Sequence, residues 1–246
     1  MNTYAKFAVA IAASLTIASP ALADQMLFNS SDIGKTVTLD YNGYSSNGGA
    51  SITGLTGSTT FTLTGVSGTD YTFDYSVTNT SSAPVMDSRI SGFAFNTDPT
   101  ITGAASTGAY GFTTLNSNYP NGIGTVDVCF KDASTNSCAG GGSGGLTLGQ
   151  TGTGSFTLSF ASPVSALTLS DFYVRYQSIT GVPGVSSATG AGTINTSTTS
   201  GGSTGGTPVP EPGMLGLFGA GIVGLALARR RNSGRRPVAR LTLAAA

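Results

Sequence analysis

At 246 residues with a formal charge of zero, the chain has room for one domain with terminal signals or for two small domains. The neutrality is an average over unlike parts: residues 24–207 carry ten aspartates against Lys35, Arg89, Lys131 and Arg175, a formal charge of −6, while seven of the eleven lysines and arginines sit at Lys6 or from Arg229 onward. A body of that sign lacks the basic footprint that neutralises phosphates, which argues against a nucleic-acid partner; with no histidine and Glu211 as the only glutamate, histidine-based triads, histidine-bearing zinc sites and most proton shuttles are excluded by inventory.

The first 23 residues have the three parts of a secretory signal peptide: a short head with Lys6, an apolar run over residues 7–18, and the small-residue site Ala21-Leu22-Ala23 after Pro20. Signal peptidase and the secretion machinery are the partners such a segment implies. Cleavage after Ala23 leaves Asp24 first, the alternative being an uncleaved N-terminal anchor.

Period-two alternation dominates from Leu27 to about Ile179, broken every eight to twelve residues by Gly, Asn, Asp or Pro. This pattern predicts an all-β domain over residues 24–183, an antiparallel β-sandwich of jelly-roll-like type. In YTFDYSVTN, Tyr71, Phe73, Tyr75 and Val77 share one face and Thr72, Asp74, Ser76 and Thr78 the other, so one face is core and one is wet. A Gly-containing turn at 66–70 makes the preceding run and this one a hairpin. Further strands are expected at KTVTLDY, SRISGFAF, GTVDVCF, GSFTLSF and ALTLSDFYVRYQSI. In the last, Leu167 and Leu169 have one parity and Phe172, Val174 and Tyr176 the other, which places a bulge or a break near Ser170 and Asp171. An internal echo joins TGSTTFTL at 56–63 with TGTGSFTL at 151–158.

Cys129 and Cys138 enclose eight residues, too many for a C-x-x-C redox motif, and no further cysteine or histidine is present to complete a metal site. In an exported protein a structural disulfide is the favoured reading. Val126, Val128 and Phe130 are assigned the buried parity, which sends Cys129 to the opposite face. Asp70 and Asp74 fall on the same side of one strand; as an acid and base pair they are outweighed by the reading of solvated charges at a hairpin edge. No catalytic residue, cofactor or metal is assigned, and no loop of the D-x-[DN]-x-[DN]-G type supports calcium. Tyr41, Tyr44, Tyr110 and Tyr119 lie in Gly- and Asn-rich surroundings suited to loops and are the candidates for stacking on sugar rings.

Between Gly184 and Thr207 all but five of twenty-four residues are Gly, Ser or Thr, a composition that predicts a flexible linker over 184–207. Met214 to Ala228 then supplies fifteen uncharged residues. As a helix they span about 22 Å, against a hydrocarbon core of about 30 Å. A short transmembrane helix is therefore expected at 213–228, with Arg229, Arg230 and Arg231 held on the cytoplasmic side and the body across the membrane.

The order of Val209, Pro210, Glu211 and Pro212, an apolar segment and the arginine cluster resembles the PEP-CTERM sorting signal, here 208–232 with a tail at 233–246. The resemblance implies recognition by a membrane exosortase, transient membrane residence during sorting, and a cell-surface or extracellular-matrix destination in bacteria that make exopolysaccharide. The same tail also goes under the name of an ice-binding protein C-terminal motif; ice binding would need Thr-x-Thr pairs such as Thr36 with Thr38 and Thr62 with Thr64 in a flat array. The body is similar to the cistern family of PEP-CTERM proteins, through SDIGKTVTLDYNGY, RISGFAFNTDPTI, YPNGIGTVDVCFKDASTNSCAGGGSGGL, TGTGSFTLSF and LSDFYVRYQSI. That similarity implies a paired-cysteine extracellular domain and supplies no reaction. The expected function is an exported, non-enzymatic surface or biofilm-matrix protein. A secreted carbohydrate-binding module is the alternative, with an ice-binding or calcium-binding surface protein more remote.

Overall fold

The computed structural model describes residues 24–139 and 144–198. Ala21, Ala23 and the rest of the signal peptide, the sorting motif, the arginine cluster and the expected transmembrane helix at 213–228 lie outside the described residues. Eleven strands run in chain order: β1 (Gln25–Phe28), β2 (Thr36–Tyr44), β3 (Ser51–Ser67), β4 (Asp70–Asn79), β5 (Asp87–Asp98), β6 (Gly103–Ser106), β7 (Phe112–Tyr119), β8 (Gly124–Lys131), β9 (Thr151–Ser159), β10 (Leu167–Thr180) and β11 (Ser187–Thr198). Among the described residues the only helices are single 3-10 turns at Ser30–Asp32 and Gly108–Tyr110.

The domain is all-β, as the alternation predicts, but the expected pair of sheets is replaced by one continuous antiparallel sheet. Its order is β6-β9-β4-β3-β2-β11-β10-β5-β8-β7, with β1 added to β10. The two ends approach each other, where the Thr113 hydroxyl on β7 donates to the Ala104 carbonyl on β6 at 3.2 Å. Curling a long sheet nearly into a ring leaves only short stretches of unpaired edge, which limits strand-to-strand aggregation.

Alternation explains the inner face. On β4, Tyr71, Phe73, Tyr75 and Val77 are buried and Asp74 is exposed, following the predicted parity. Phe73 stacks on Phe156 at 5.1 Å and meets Phe28 edge-on at 5.0 Å, while Phe93 stacks on Phe130 at 4.9 Å. These offset and edge-on contacts suit the ring quadrupoles and fill the interior with rigid groups. The predicted hairpin closes between Ser67 and Asp70, with Gly68 in the left-handed region (φ +59°) that the tight turn requires. The echoed segments fall in β3 and β9, the two neighbours of β4, and their Phe61 and Phe156 meet at 5.7 Å.

The parity change in β10 is a bulge. Its register to β5 shifts between Ser170 and Tyr173, Asp171 has φ +54°, and the Asn96 amide donates to the Asp171 carboxylate at 3.0 Å. A short polar side chain that tolerates this backbone region lets both halves of β10 present apolar residues inward.

Two further expectations fail. The linker predicted over 184–207 contains β11, a twelve-residue strand held between β2 and β10. Its small residues are packing features: a Cβ on Gly190 would stand 2.9 Å from the Tyr176 ring and 3.1 Å from Tyr41 Cβ, and one on Gly192 would stand 2.8 Å from the Tyr41 ring. The apolar area that the segment lacks is brought by its neighbours' aromatic side chains. The second failure is Val126, assigned to the face of Val128 and Phe130. It packs instead with Ala94, Tyr119, Cys129 and Cys138 in a separate cluster on the outer side of the sheet, while Val128 and Phe130 remain in the main core.

Candidate functional site

Cys129 and Cys138 form the expected disulfide, with Cα atoms 5.7 Å apart. Cys129 lies on the outer face, opposite Ala94 and Thr114 on the neighbouring strands. The bridge pins the segment after β8 against that face. Closing so short a loop contributes at most about 2.5 to 3 kcal/mol in the chain-entropy picture.

Beneath the pinned loop sits Lys131, the last residue of β8 and 1 % exposed. Its ammonium donates to Thr114 Oγ1 at 2.6 Å, Ser137 O at 3.0 Å and Thr135 Oγ1 at 3.1 Å, and to the Thr135 carbonyl. Burial pulls this ammonium below the ordinary lysine range, with nearby Asp132 opposing the shift. The four acceptors satisfy the buried charge and tie the loop down from below.

Beside this loop, β7 begins with Phe112, which pairs with Lys131 across the sheet yet is 45 % exposed. Phe112, Thr114, Ser134, Thr135 and Asn136 line an open depression of about 480 Å³. A second depression of about 440 Å³ is lined by Asp74, Thr107, Thr153 and Ser155. Asp70 and Asp74 do lie on the outer side of β4, with Asp74 exposed between Thr62 on β3 and Ser155 on β9.

The four tyrosines do not form a stacking platform. Tyr41 is in the core, where its hydroxyl bonds Thr59 Oγ1 at 2.9 Å; Tyr110 is in the core with its hydroxyl donating to Ile90 O at 2.8 Å. Tyr119 is buried in the outer cluster beside Tyr173, ring centroids 5.6 Å apart. Burial raises all three phenols above their ordinary pKa. Only Tyr44 is partly accessible, its phenol pushed up to about 12 by burial and by neighbouring Tyr173. The alternation of Val37, Leu39 and Tyr41 is the signal that places Tyr41 inward, against the loop-like look of its neighbours. Among the described residues Phe112, which the alternation does not single out, is the aromatic ring in the exposed class.

The outer face of β2, β3, β4 and β9 carries hydroxyls in register. Thr36 meets Thr62 and Thr38 meets Thr60, each at 3.0 Å, while Thr72 meets Thr157 at 3.1 Å. These hydroxyls bond one another, as cross-strand threonine pairs do in sheets. Among the described residues, no three of His, Cys, Asp and Glu gather into a group able to hold a metal ion. Nor is any described helix long and apolar enough to cross a membrane.

The C-terminal segment supplies the remaining functional feature. A model of the PEP-CTERM protein-sorting motif matches residues 208–231, the stretch with Val209, Pro210, Glu211 and Pro212 at its start and Arg229, Arg230 and Arg231 at its end. The motif implies an exported protein that passes through a membrane-anchored intermediate and is processed by an exosortase. No curated protein and no solved structure matches the chain significantly.

Proposed function

We propose that this chain is a non-enzymatic protein of the cell surface or extracellular matrix, a disulfide-stapled β domain delivered outside the cell and released from its membrane handle by an exosortase. The observation that carries this reading is the sorting motif at 208–231 placed behind a β domain whose last described strand ends at Thr198. Residue inventory supports the non-enzymatic part: the body has no histidine and no glutamate, Glu211 lying in the tail, so the side chains most often used as general acid and base are reduced there to aspartates. The body's similarity to the cistern family points the same way and names no substrate. A matrix built around exopolysaccharide is the setting in which such a protein acts.

The test compares intact mass in cells with and without the exosortase. Protein from exosortase-positive cells is expected to begin at Asp24 and to have lost residues from Gly213 onward. An identical C-terminus in both strains overturns the sorting part of the reading.

A further inference from the structure

We infer that the groove between β7 and the disulfide loop is a glycan subsite that stacks one neutral hexose unit of a polysaccharide on Phe112. Four large apolar side chains are exposed among the described residues, Leu27, Ile33, Met86 and Phe112; of these Phe112 is the aromatic one, and it lies within the groove. The groove's volume of about 480 Å³ falls in the range of roughly 300–1,000 Å³ usual for small-molecule sites. It is open and shallow, which suits a ring inside a chain that continues at both ends.

The chemistry of the lining is that of a sugar. A pyranose has an apolar C–H face, which matches a half-exposed phenyl ring, and equatorial hydroxyls, which need donors and acceptors at the ring's rim. Ser134 and Asn136 supply a hydroxyl and an amide at the exposed lip. Thr114 Oγ1 accepts from the Lys131 ammonium, which leaves its own proton to donate outward. The lip is ordered before any ligand arrives, because Lys131 ties Thr135 and Ser137 from below and the disulfide to Cys138 closes its far end. Such preorganisation lowers the entropic cost of binding.

Charge selects neutral chains. Lys131 is committed to four oxygen acceptors, and the formal charge of −6 over residues 24–207 repels uronates and sulfated glycans. This assignment deepens the matrix role proposed above and rests on it for the presence of polysaccharide, but its test does not depend on sorting.

The experiment uses the mature exported protein, titrated with cellohexaose, mannohexaose and maltohexaose, with hexagalacturonate as the anionic comparison. At least one neutral hexasaccharide is expected to bind with a Kd below about 10 mM, and hexagalacturonate is expected not to. Phe112→Ala should weaken binding at least about tenfold, Phe112→Tyr should retain it, and Met86→Ala, on another exposed apolar residue, should leave it unchanged. Thermal unfolding of Phe112→Ala should match the parent, since the ring is half in solvent. The assignment is overturned if none of the three neutral sugars binds, if Phe112→Ala binds as the parent does, or if Phe112→Ala abolishes a self-association that the parent shows without binding sugar. Sorting is read by mass, so a failed exosortase test with intact sugar binding, or the reverse, separates the two claims.

Discussion

β4 and β11 are both antiparallel strands paired on either side within the same sheet, yet they reach that position by opposite means. β4 brings its own core in Tyr71, Phe73, Tyr75 and Val77. β11 brings Ala188, Gly190 and Gly192, and its inner surface is covered by Tyr41 from β2 and Tyr176 from β10. A strand can therefore be stabilised by what it buries or by the space it leaves for others. Only the first kind carries a hydrophobic period of its own.

The contrast can be broken most strongly at Phe73. Phe73→Ala removes a ring packed between Phe28 and Phe156 and is expected to cost about 3–5 kcal/mol. Chemical denaturation measures this, and a cost below that of an ordinary surface substitution would mean that β4 does not carry its own core. On β11 the sensitive change runs in the other direction, because the site is full. Gly190→Val forces a side chain against Tyr176, Val174 and Tyr41 and should destabilise by about 1–3 kcal/mol. Thr193→Val, on an exposed position of the same strand, should be neutral by the same measurement. Equal effects of the two valines would show that β11 lacks the tight inner packing described.

A smaller effect comes from alkali. Burial holds the Tyr41 and Tyr176 phenols above their ordinary pKa of 10.0. Their folded pKa exceeds the unfolded one, so the stability from keeping them neutral is complete below pH 10 and is lost as pH rises towards the folded values. At pH 10.5 each should cost roughly 0.8 kcal/mol relative to pH 8. Lys131, shifted downward, acts with the opposite sign. Denaturant midpoints at the two pH values, repeated in Tyr41→Phe, read the contribution of one phenol. A pH-independent difference between parent and variant would place Tyr41 outside the core.

The candidate site was legible in part. Two cysteines in an exported chain lead to a disulfide, and the parity of β8 rightly sends Cys129 outward. The loop-like composition around Tyr110 and Tyr119 concealed that a 3-10 turn drives one ring into the core and that the outer cluster swallows the other. Lys131 reads as an ordinary lysine beside an aspartate; its role depends on carbonyls of the loop that folds back over it. Phe112 opens a run whose other bulky members are both covered, Leu115 by the main core and Tyr119 by the outer cluster. Nothing within that run says that its first ring stays in solvent.

By itself the sequence determines the all-β class, the wet and dry faces of β4, the hairpin at Gly68, the bulge at Asp171 and the sorting motif. Each of these is written in neighbouring residues: a period of two, a turn residue, a parity change, a contiguous signal. Tertiary structure alone decides that the sheet curls nearly shut, that a Gly-, Ser- and Thr-rich segment becomes a central strand, and which aromatic ring is left outside. Those outcomes depend on side chains far apart in the chain competing for the same space, and local composition does not record which of them occupies it.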